Sequence, residues 1–463
     1  MSQHPVFTSA LPTGDDAGHI LIVGGGASGV LMATHLLSAH KKLRVTILES
    51  ANLLGCGLAY STRDPDHLLN TRVHNMSAFP EDPFHFHRWL QGRSEGRGLD
   101  EHSFVSRATY GAYLSDLLRP WSLAEEERRL TCLRRKCIRI EERSDGVLAH
   151  LEGGDVIGAQ IAVLATGHVL PRPDPAGLLT GAWEGVCGLD PDAGVLIIGS
   201  GLSMVDQVLS LMKSGHRGPI TTLSRRGQLP RPHAPTRPDP IRLDEIPVDQ
   251  PLSQLLRWLR GRIARVEADG GTWRDVIDGL RPHVSAIWQV MPVEKRARFL
   301  RHLVSWWDVH RHRIPAASDR RIADAVASGK LTHRRGAFLR AERGKNGLLR
   351  AYIRPHGQTD ESVIEAARII DCRGIRNDPE YNATPLIADL LASGRARVDE
   401  LRIGLQVNAT CQLIDAADRA SSRILAIGPV SRAAFWEITA IPDIRVQTAA
   451  LARRIAKLVR VGA

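Results

Sequence analysis

The chain has 463 residues, 43% apolar and 24% charged, and its 61 Lys and Arg against 50 Asp and Glu give a formal charge of +11. That apolar share excludes a disordered or fibrous chain, and the length accommodates two or three domains with sizeable cores. No run reaches the roughly 18 uninterrupted apolar residues of a membrane span, and the polar start does not read as a signal peptide. A cytoplasmic, membrane-free protein is expected. The six cysteines, Cys56, Cys132, Cys137, Cys187, Cys372 and Cys411, form no C-x-x-C pair and no His/Cys cluster of zinc spacing. They read as small buried hydrophobes, and no metal site is expected.

His19 to Val23 is an apolar run of the kind that forms a buried parallel strand. Gly24-Gly25-Gly26-Ala27-Ser28-Gly29 follows, then a helical pattern from Val30 to Ala39, then a second strand from Leu43 to Leu48 that ends in Glu49. This order is what a dinucleotide requires. Gly24 makes the tight turn, Gly26 lets the backbone amides approach a pyrophosphate, and Gly29 lets the helix lie close on the strand. Ala27 and Ser28 open that helix, whose N-terminus faces the phosphate charge. Glu49 accepts from ribose hydroxyls and would repel a 2′-phosphate, so the site suits FAD or NAD and disfavours NADP.

Ile161 to Ala165 is a further strand leading into Thr166-Gly167 and a proline-spaced linker, His168 to Pro173. Gly194 to Ile198 then opens a second unit, with Gly199-Ser200-Gly201-Leu202-Ser203-Met204 and a helical run from Val205 to Lys213. Met204 stands where a third glycine or alanine is usual, so helix and strand are expected slightly further apart. The next strand, Ile220 to Leu223, ends in Ser224-Arg225-Arg226 instead of an acid. A hydroxyl and two guanidiniums suit a ribose 2′-phosphate, which points to NADPH over NADH. Two such units with opposite terminal charges imply two cofactors, FAD in the first and NADPH in the second.

The proline-rich stretch from Leu229 to Pro240 reads as a stiff linker. Beyond it, Pro251 to Arg335 holds 17 Lys and Arg against 8 Asp and Glu, most of the chain's excess charge. Leu256 to Ile263 and Lys295 to Leu303 carry helical periodicity, so a basic helical insertion is expected over about 245–335. No RNA-binding signature accompanies it. Anionic cofactor or substrate accounts for the charge better than nucleic acid does. Ile369 to Cys372 leads into Arg373-Gly374, and Ile424 to Ile427 into Gly428-Pro429 and a terminal helix around Arg445 to Val459. The fold class is therefore α/β, two Rossmann-like dinucleotide-binding domains of which the second carries the insertion. The expected division is 1–175 and 346–463 for the FAD-binding domain and 190–345 for the NADP-binding domain.

The pattern resembles the FAD-NAD(P)-binding family of bacterial flavoproteins, distant relatives of flavin-containing and N-hydroxylating monooxygenases. The resemblance rests on Gly24 to Gly29, Gly57 to Thr62, His67 to Asn70, Met76 to Ala78, His85-Phe86 with Trp89-Leu90, and Arg107 with Tyr110. It continues through Gly199 to Asp206, Ser224 to Pro232, Trp306 to Arg313 and Trp436 to Arg445, nearly the length of the chain. Two departures stand out: Cys372-Arg373-Gly374 replaces the usual C-T-G, and Cys56 replaces proline.

In this fold class the Gly55 to Ser77 segment runs along the flavin ring. Asn70 and Ser77 can hydrogen-bond a flavin or a peroxide, and His67, with His74 and Tyr60 nearby, adds a titratable group. Asn70 is the foremost candidate, Ser77 and His67 the others. Arg107 is a candidate for FAD phosphate or substrate, and Thr166, Gly167, Gly428 and Pro429 for the cofactor's flanks. Asp308, His310, His312 and Arg313 form a charged cluster. Because i and i+2 point to opposite faces of a helix, His310 and His312 do not share a metal. Trp436, Glu437 and Arg445 either line the pocket or anchor the terminal helix. The expected activity is an NADPH-dependent FAD oxidoreductase, a monooxygenase on a small polar substrate such as an amine. A dehydrogenase or diaphorase, and a non-catalytic binding protein with an acidic partner, are the alternatives. The sequence leaves the oligomeric state open, a homodimer included.

Overall fold

In the computed structural model the first apolar run is strand β1 (His19–Val23), and every one of its residues is buried. Residues 7–12, 18–122, 128–170, 173–184, 188–374 and 378–458 are described; Cys187, Val459 and the linker residues Pro171 and Arg172 lie outside them. Helix α1 (Ala27–Ala39) and strand β2 (Arg44–Leu48) complete the first βαβ unit, with β1 and β2 in parallel register. A six-stranded sheet grows around them in the order Gln412–Ile414, Ala420–Ala426, Ile161–Leu164, β1, β2, Leu130–Leu133. Apolar clusters cover both of its faces, one built on α1 and the terminal helix Ile441–Leu458. A three-stranded meander (Cys137–Glu142, Val147–Leu151, Val156–Ala159) closes the other side.

The second unit repeats the plan with β3 (Val195–Ile198), α2 (Leu202–Lys213) and β4 (Ile220–Ser224). Its sheet has seven strands, in the order Ser362–Ala366, Leu349–Pro355, Leu331–Arg343, β4, β3, Arg368–Asp371, Thr180–Gly181. Met204, in the third-glycine place, is fully buried in the core of this unit.

The domain limits differ from those read in the sequence. Five helices, from Leu252–Ala268 to Val304–Arg311, form the insertion. The next helix, Ala316–Ala327, packs on α2 and delivers the chain into Leu331–Arg343, parallel to β4. The insertion therefore ends near 313 instead of 335. Basic charge continues through Arg320, Arg321, Lys330, Arg334 and Arg335, but these belong to the nucleotide unit's own helix and strand, so charge overran the fold boundary. Likewise, Leu349–Pro355 and Ser362–Ala366 extend the second sheet, and the chain returns to the first only after Asp371 instead of at 346.

Among the described residues, each buried apolar cluster of the two sheets belongs to one sheet only. The seam between them is polar. Arg107 meets Asp206 at 2.8 Å, Lys213 meets Asp64 at 2.8 Å, and Arg321 meets Asp66 at 3.3 Å. The insertion docks differently: Trp288 and Trp436 stack at 4.6 Å, and the Trp288 indole donates to the Ala433 carbonyl at 2.8 Å. Trp436 adopts φ +51°, a left-handed conformation rare for a bulky side chain, held by this stack and by Arg432 at 4.3 Å above its ring.

Candidate active site

The two glycine turns are built alike. Gly24 (φ +107°) donates to the Leu48 carbonyl at 2.8 Å, and Gly199 (φ +110°) to the Leu223 carbonyl at 2.8 Å. A methyl group on Gly24 would sit 2.4 Å from the Ala165 oxygen, and one on Gly199 2.3 Å from the Cys372 oxygen. Only glycine fits either corner. Ala165-Thr166-Gly167 and Cys372-Arg373-Gly374 are thus structural equivalents, each pressing a carbonyl against a turn. In the second, Arg373 grips Asp371 instead of offering a hydroxyl, with Nε at 2.8 Å.

Both helices begin at a glycine with no side-chain cap, Gly26 for α1 and Gly201 for α2, so their first N–H groups have no capping side chain. A methyl on Gly29 would come 1.9 Å from the Gly24 oxygen, which presses α1 onto the turn. Gly26 faces Gly57 across a gap that a methyl would fill, 3.4 Å from the Gly57 Cα, and the space above Gly201 is open. Glu49 accepts the Gly25 N–H at 2.7 Å on one oxygen and the Ala51 N–H at 2.8 Å on the other. That fixes its carboxylate at the end of β2 with lone pairs to spare. Gly428 (φ +65°) lies against Ser28, its N–H held by Gln447 at 2.8 Å, with Pro429 in the turn that follows. These residues fit a dinucleotide: a methyl-free cradle, uncapped amides and a terminal acceptor.

At the second turn, Ser224 ends β4 and its hydroxyl takes the Gly227 N–H at 3.1 Å, while Leu202 and Ser203 open α2. Arg225 and Arg226 are exposed beyond it. Sequence reading missed Arg335, which the parallel register sets beside Ser224 with its side chain against Gly227. The pairing of Leu331–Arg343 with β4 was the missing signal.

A cavity of about 920 Å³ lies where the Asn70–Asn75 turn, the insertion and the start of the terminal helix meet. Asn70, His74, Glu437 and Arg445 line it; His67 and Ser77 do not. His67 sits in the inter-unit seam, 2.9 Å from the Ser210 hydroxyl and 2.8 Å from that of Thr62. Ser77 is fully buried and donates to the Asp82 carbonyl at 2.6 Å, inside a turn. Arg107 is likewise in the seam, on Asp206 and the Leu68 carbonyl. The Asn70 carbonyl accepts from His233 at 3.0 Å, which pins the turn and fixes the course of the chain at Asn70.

Two segments distant in sequence join at the cavity. Glu437 accepts from the Trp307 indole at 2.6 Å and from Arg311 Nε at 2.8 Å. Burial would raise the Glu437 carboxyl, but Arg311 and the hydrogen bond from Trp307 hold it below the ordinary range. Burial pushes Asp308 up to about 6 and His312 down to about 4. His310 points elsewhere, edge-on to Trp273 with a bond to the Trp306 carbonyl at 2.7 Å. Cys56 is buried beside Gly111, and burial raises its thiol, so it packs instead of reacting. A second cavity, about 440 Å³ and largely apolar, lies within the insertion, lined by Trp258, Trp273, Trp288, Trp306, Trp307 and Trp436 among others. No helix among the described residues is long and apolar enough to cross a membrane.

Two Rossmann-like units, the second carrying a helical insertion, define a two-dinucleotide fold. Residues 21–169, within the first unit, match the FAD-NAD(P)-binding family. An uncharacterised Escherichia coli protein is 24% identical over 210 residues, 42% of this chain and 39% of that one, so the match spans about two fifths of that relative. Among solved structures, the cadaverine monooxygenase of Erwinia amylovora, solved with FAD, aligns over 96% of this chain and 95% of its own at TM-score 0.68 and 12% identity. The ornithine N-hydroxylase of Kutzneria sp. 744, solved with reduced FAD, NADP+ and L-ornithine, aligns over 95% and 99% at TM-score 0.65 and 14% identity.

Proposed function

We propose that the chain is an NADPH-dependent FAD monooxygenase acting on a small polar substrate, at an amine nitrogen. The observation that carries this reading is the pairing of two open glycine turns, one ending in Glu49 and the other in Ser224-Arg225-Arg226, with a cavity lined by Asn70. The likeness to two amine-oxygenating folds supports it. In this assignment the α1 turn and Glu49 hold the FAD pyrophosphate and ribose, flanked by Thr166, Gly167, Gly428 and Pro429. The α2 turn with Ser224, Arg225, Arg226 and Arg335 holds NADPH through its 2′-phosphate. Bound FAD supplies the hydride-accepting and oxygen-activating chemistry, while the chain supplies orientation and electrostatics.

Asn70 orients the reacting oxygen from the cavity wall, its backbone fixed by His233. The Arg107–Asp206 pair and the His67–Ser210 contact hold the two units in the alignment that hydride transfer needs; both are positioning contacts. The test is NADPH oxidation by FAD-loaded protein with an amine panel, following product and hydrogen peroxide. Stoichiometric hydroxylated product supports the reading. Peroxide alone with every amine favours the dehydrogenase or diaphorase alternative, and failure of NADPH to reduce the flavin anaerobically removes the oxygenase reading.

A further inference from the structure

The lining of the 920 Å³ cavity is unbalanced in charge. Six arginines, Arg72, Arg281, Arg311, Arg313, Arg445 and Arg454, face three carboxylates, those of Asp278, Glu437 and Asp443. Two of the carboxylates are hydrogen-bonded, Glu437 by Arg311 and Trp307 and Asp278 by Arg313; Asp443 lies 3.6 Å from Arg281, and its buried Oδ2 makes no hydrogen bond. What remains is a surplus of cationic donors.

Two of these arginines are deeply placed, Arg311 only 7% and Arg313 only 4% exposed, and the other four are half-buried. Among the described residues, Arg72 Nε, Arg311 Nη2, Arg313 Nε and Nη1, and Arg445 Nε are buried and make no hydrogen bond. An unpaired N–H on a buried charge is costly, and five such atoms around one cavity call for an acceptor in it. Burial, and after it the neighbouring Arg311, pushes Arg281 down to about 10.

We propose that this cavity binds a small dianion carrying two carboxylates, taken by the guanidiniums of Arg311 and Arg313 on one side and Arg72 and Arg445 on the other. This rests on the oxygenase reading above, of which it names the substrate class. A monoanion would leave most of the arginine surplus uncompensated, and a cationic amine without carboxylates would add to it, so the reacting amine nitrogen would be carried on the dicarboxylate itself. Planar guanidinium forks match carboxylate oxygens in pairs, which makes a dicarboxylate the fitting shape. The cofactor phosphates have their own sites at the two glycine turns, which do not line this cavity.

The experiment is titration calorimetry of the FAD-loaded protein with succinate, glutarate, butyrate and inorganic phosphate, each with and without saturating NADP+. A dicarboxylate is expected to bind at least tenfold more tightly than butyrate or phosphate, with NADP+ leaving its affinity unchanged. Arg313→Gln is expected to weaken dicarboxylate binding tenfold or more. Because Arg313 is buried on Asp278, the more exposed Arg72→Gln serves as the second variant, and a thermal melt and flavin spectrum establish that each is folded. Equal binding of succinate and butyrate, tighter binding of phosphate, displacement by NADP+, or full affinity in folded Arg72→Gln and Arg313→Gln would each overturn the proposal. If flavin reduction by NADPH is normal while no dicarboxylate binds, only the substrate class falls. If NADPH cannot reduce the flavin, the oxygenase reading falls whatever the calorimetry shows.

Discussion

Glu437 and Arg311, 126 residues apart in sequence, form a buried ion pair at 2.8 Å with each side chain only 7% exposed. Through it the last helix of the insertion is fastened to the segment that opens the terminal helix. The Trp307 indole occupies the other carboxylate oxygen, so the pair is hydrogen-bonded as well as charged.

Replacing one member of such a pair leaves the other charge buried and uncompensated. Glu437→Gln is expected to lower unfolding stability by roughly 3 kcal/mol, read as a shift in the urea midpoint. Adding Arg311→Met should recover part of the loss. A midpoint unchanged by the single substitution would show that the pair carries no net stability.

Asn70→Ala should separate two half-reactions. Product formation is expected to fall by about tenfold or more, the scale of losing one preorganised hydrogen-bond donor. Anaerobic reduction of the flavin by NADPH should stay within about twofold of the wild type, since Asn70 does not line the α2 turn. Stopped-flow traces of each step make the comparison, and equal losses in both would assign Asn70 to cofactor binding.

For cofactor choice, Arg225→Ala is expected to raise KM for NADPH by about tenfold, the worth of one charge-assisted hydrogen bond to a phosphate. KM for NADH should barely change. Equal increases for both nucleotides would place the guanidinium away from the 2′-phosphate.

Acid should destabilise the fold steeply. Burial pushes His35, His168, His233 and His312 each from 6.5 down to about 4, so all four are neutral in the folded chain where the unfolded chain protonates them. Their stabilisation is complete above pH 6.5 and is lost as pH falls toward 4. Asp308, raised to about 6, holds a proton in the fold that the unfolded chain releases down to pH 3.8 and so offsets one of the four. Near pH 5 these five groups together take up protons on unfolding, so stability should fall as the pH drops below 6.5. Urea midpoints between pH 7 and 4.5 measure it, and a flat profile would mean that the histidines protonate without unfolding.

Much of the nucleotide architecture was legible because glycine turns are local: strand, corner, helix and terminal residue lie within about thirty positions of one another. Gly24 and Gly199 are demanded by backbone crowding that chain order already implies. Arg107, His67 and Ser77 were a different matter. They sit in the right segment, yet their partners are Asp206, Ser210 and the Asp82 carbonyl, and what a polar side chain faces is decided by packing across the molecule. Arg335 became visible only when strand order set it beside Ser224. The cavity arginines were scattered through a turn, the insertion and the terminal helix, and no spacing rule connects Arg72 to Arg445. Their convergence is a product of the fold.

The seam of Arg107–Asp206, Lys213–Asp64 and Arg321–Asp66 has a mechanical meaning. Apolar faces resist being pulled apart because wetting them is costly, whereas partly exposed charges trade one another for water at little net expense. These three contacts are therefore a clasp, whereas the insertion is joined more firmly, through the Trp288–Trp436 stack and the buried Glu437–Arg311 pair. Added salt weakens these three contacts by screening.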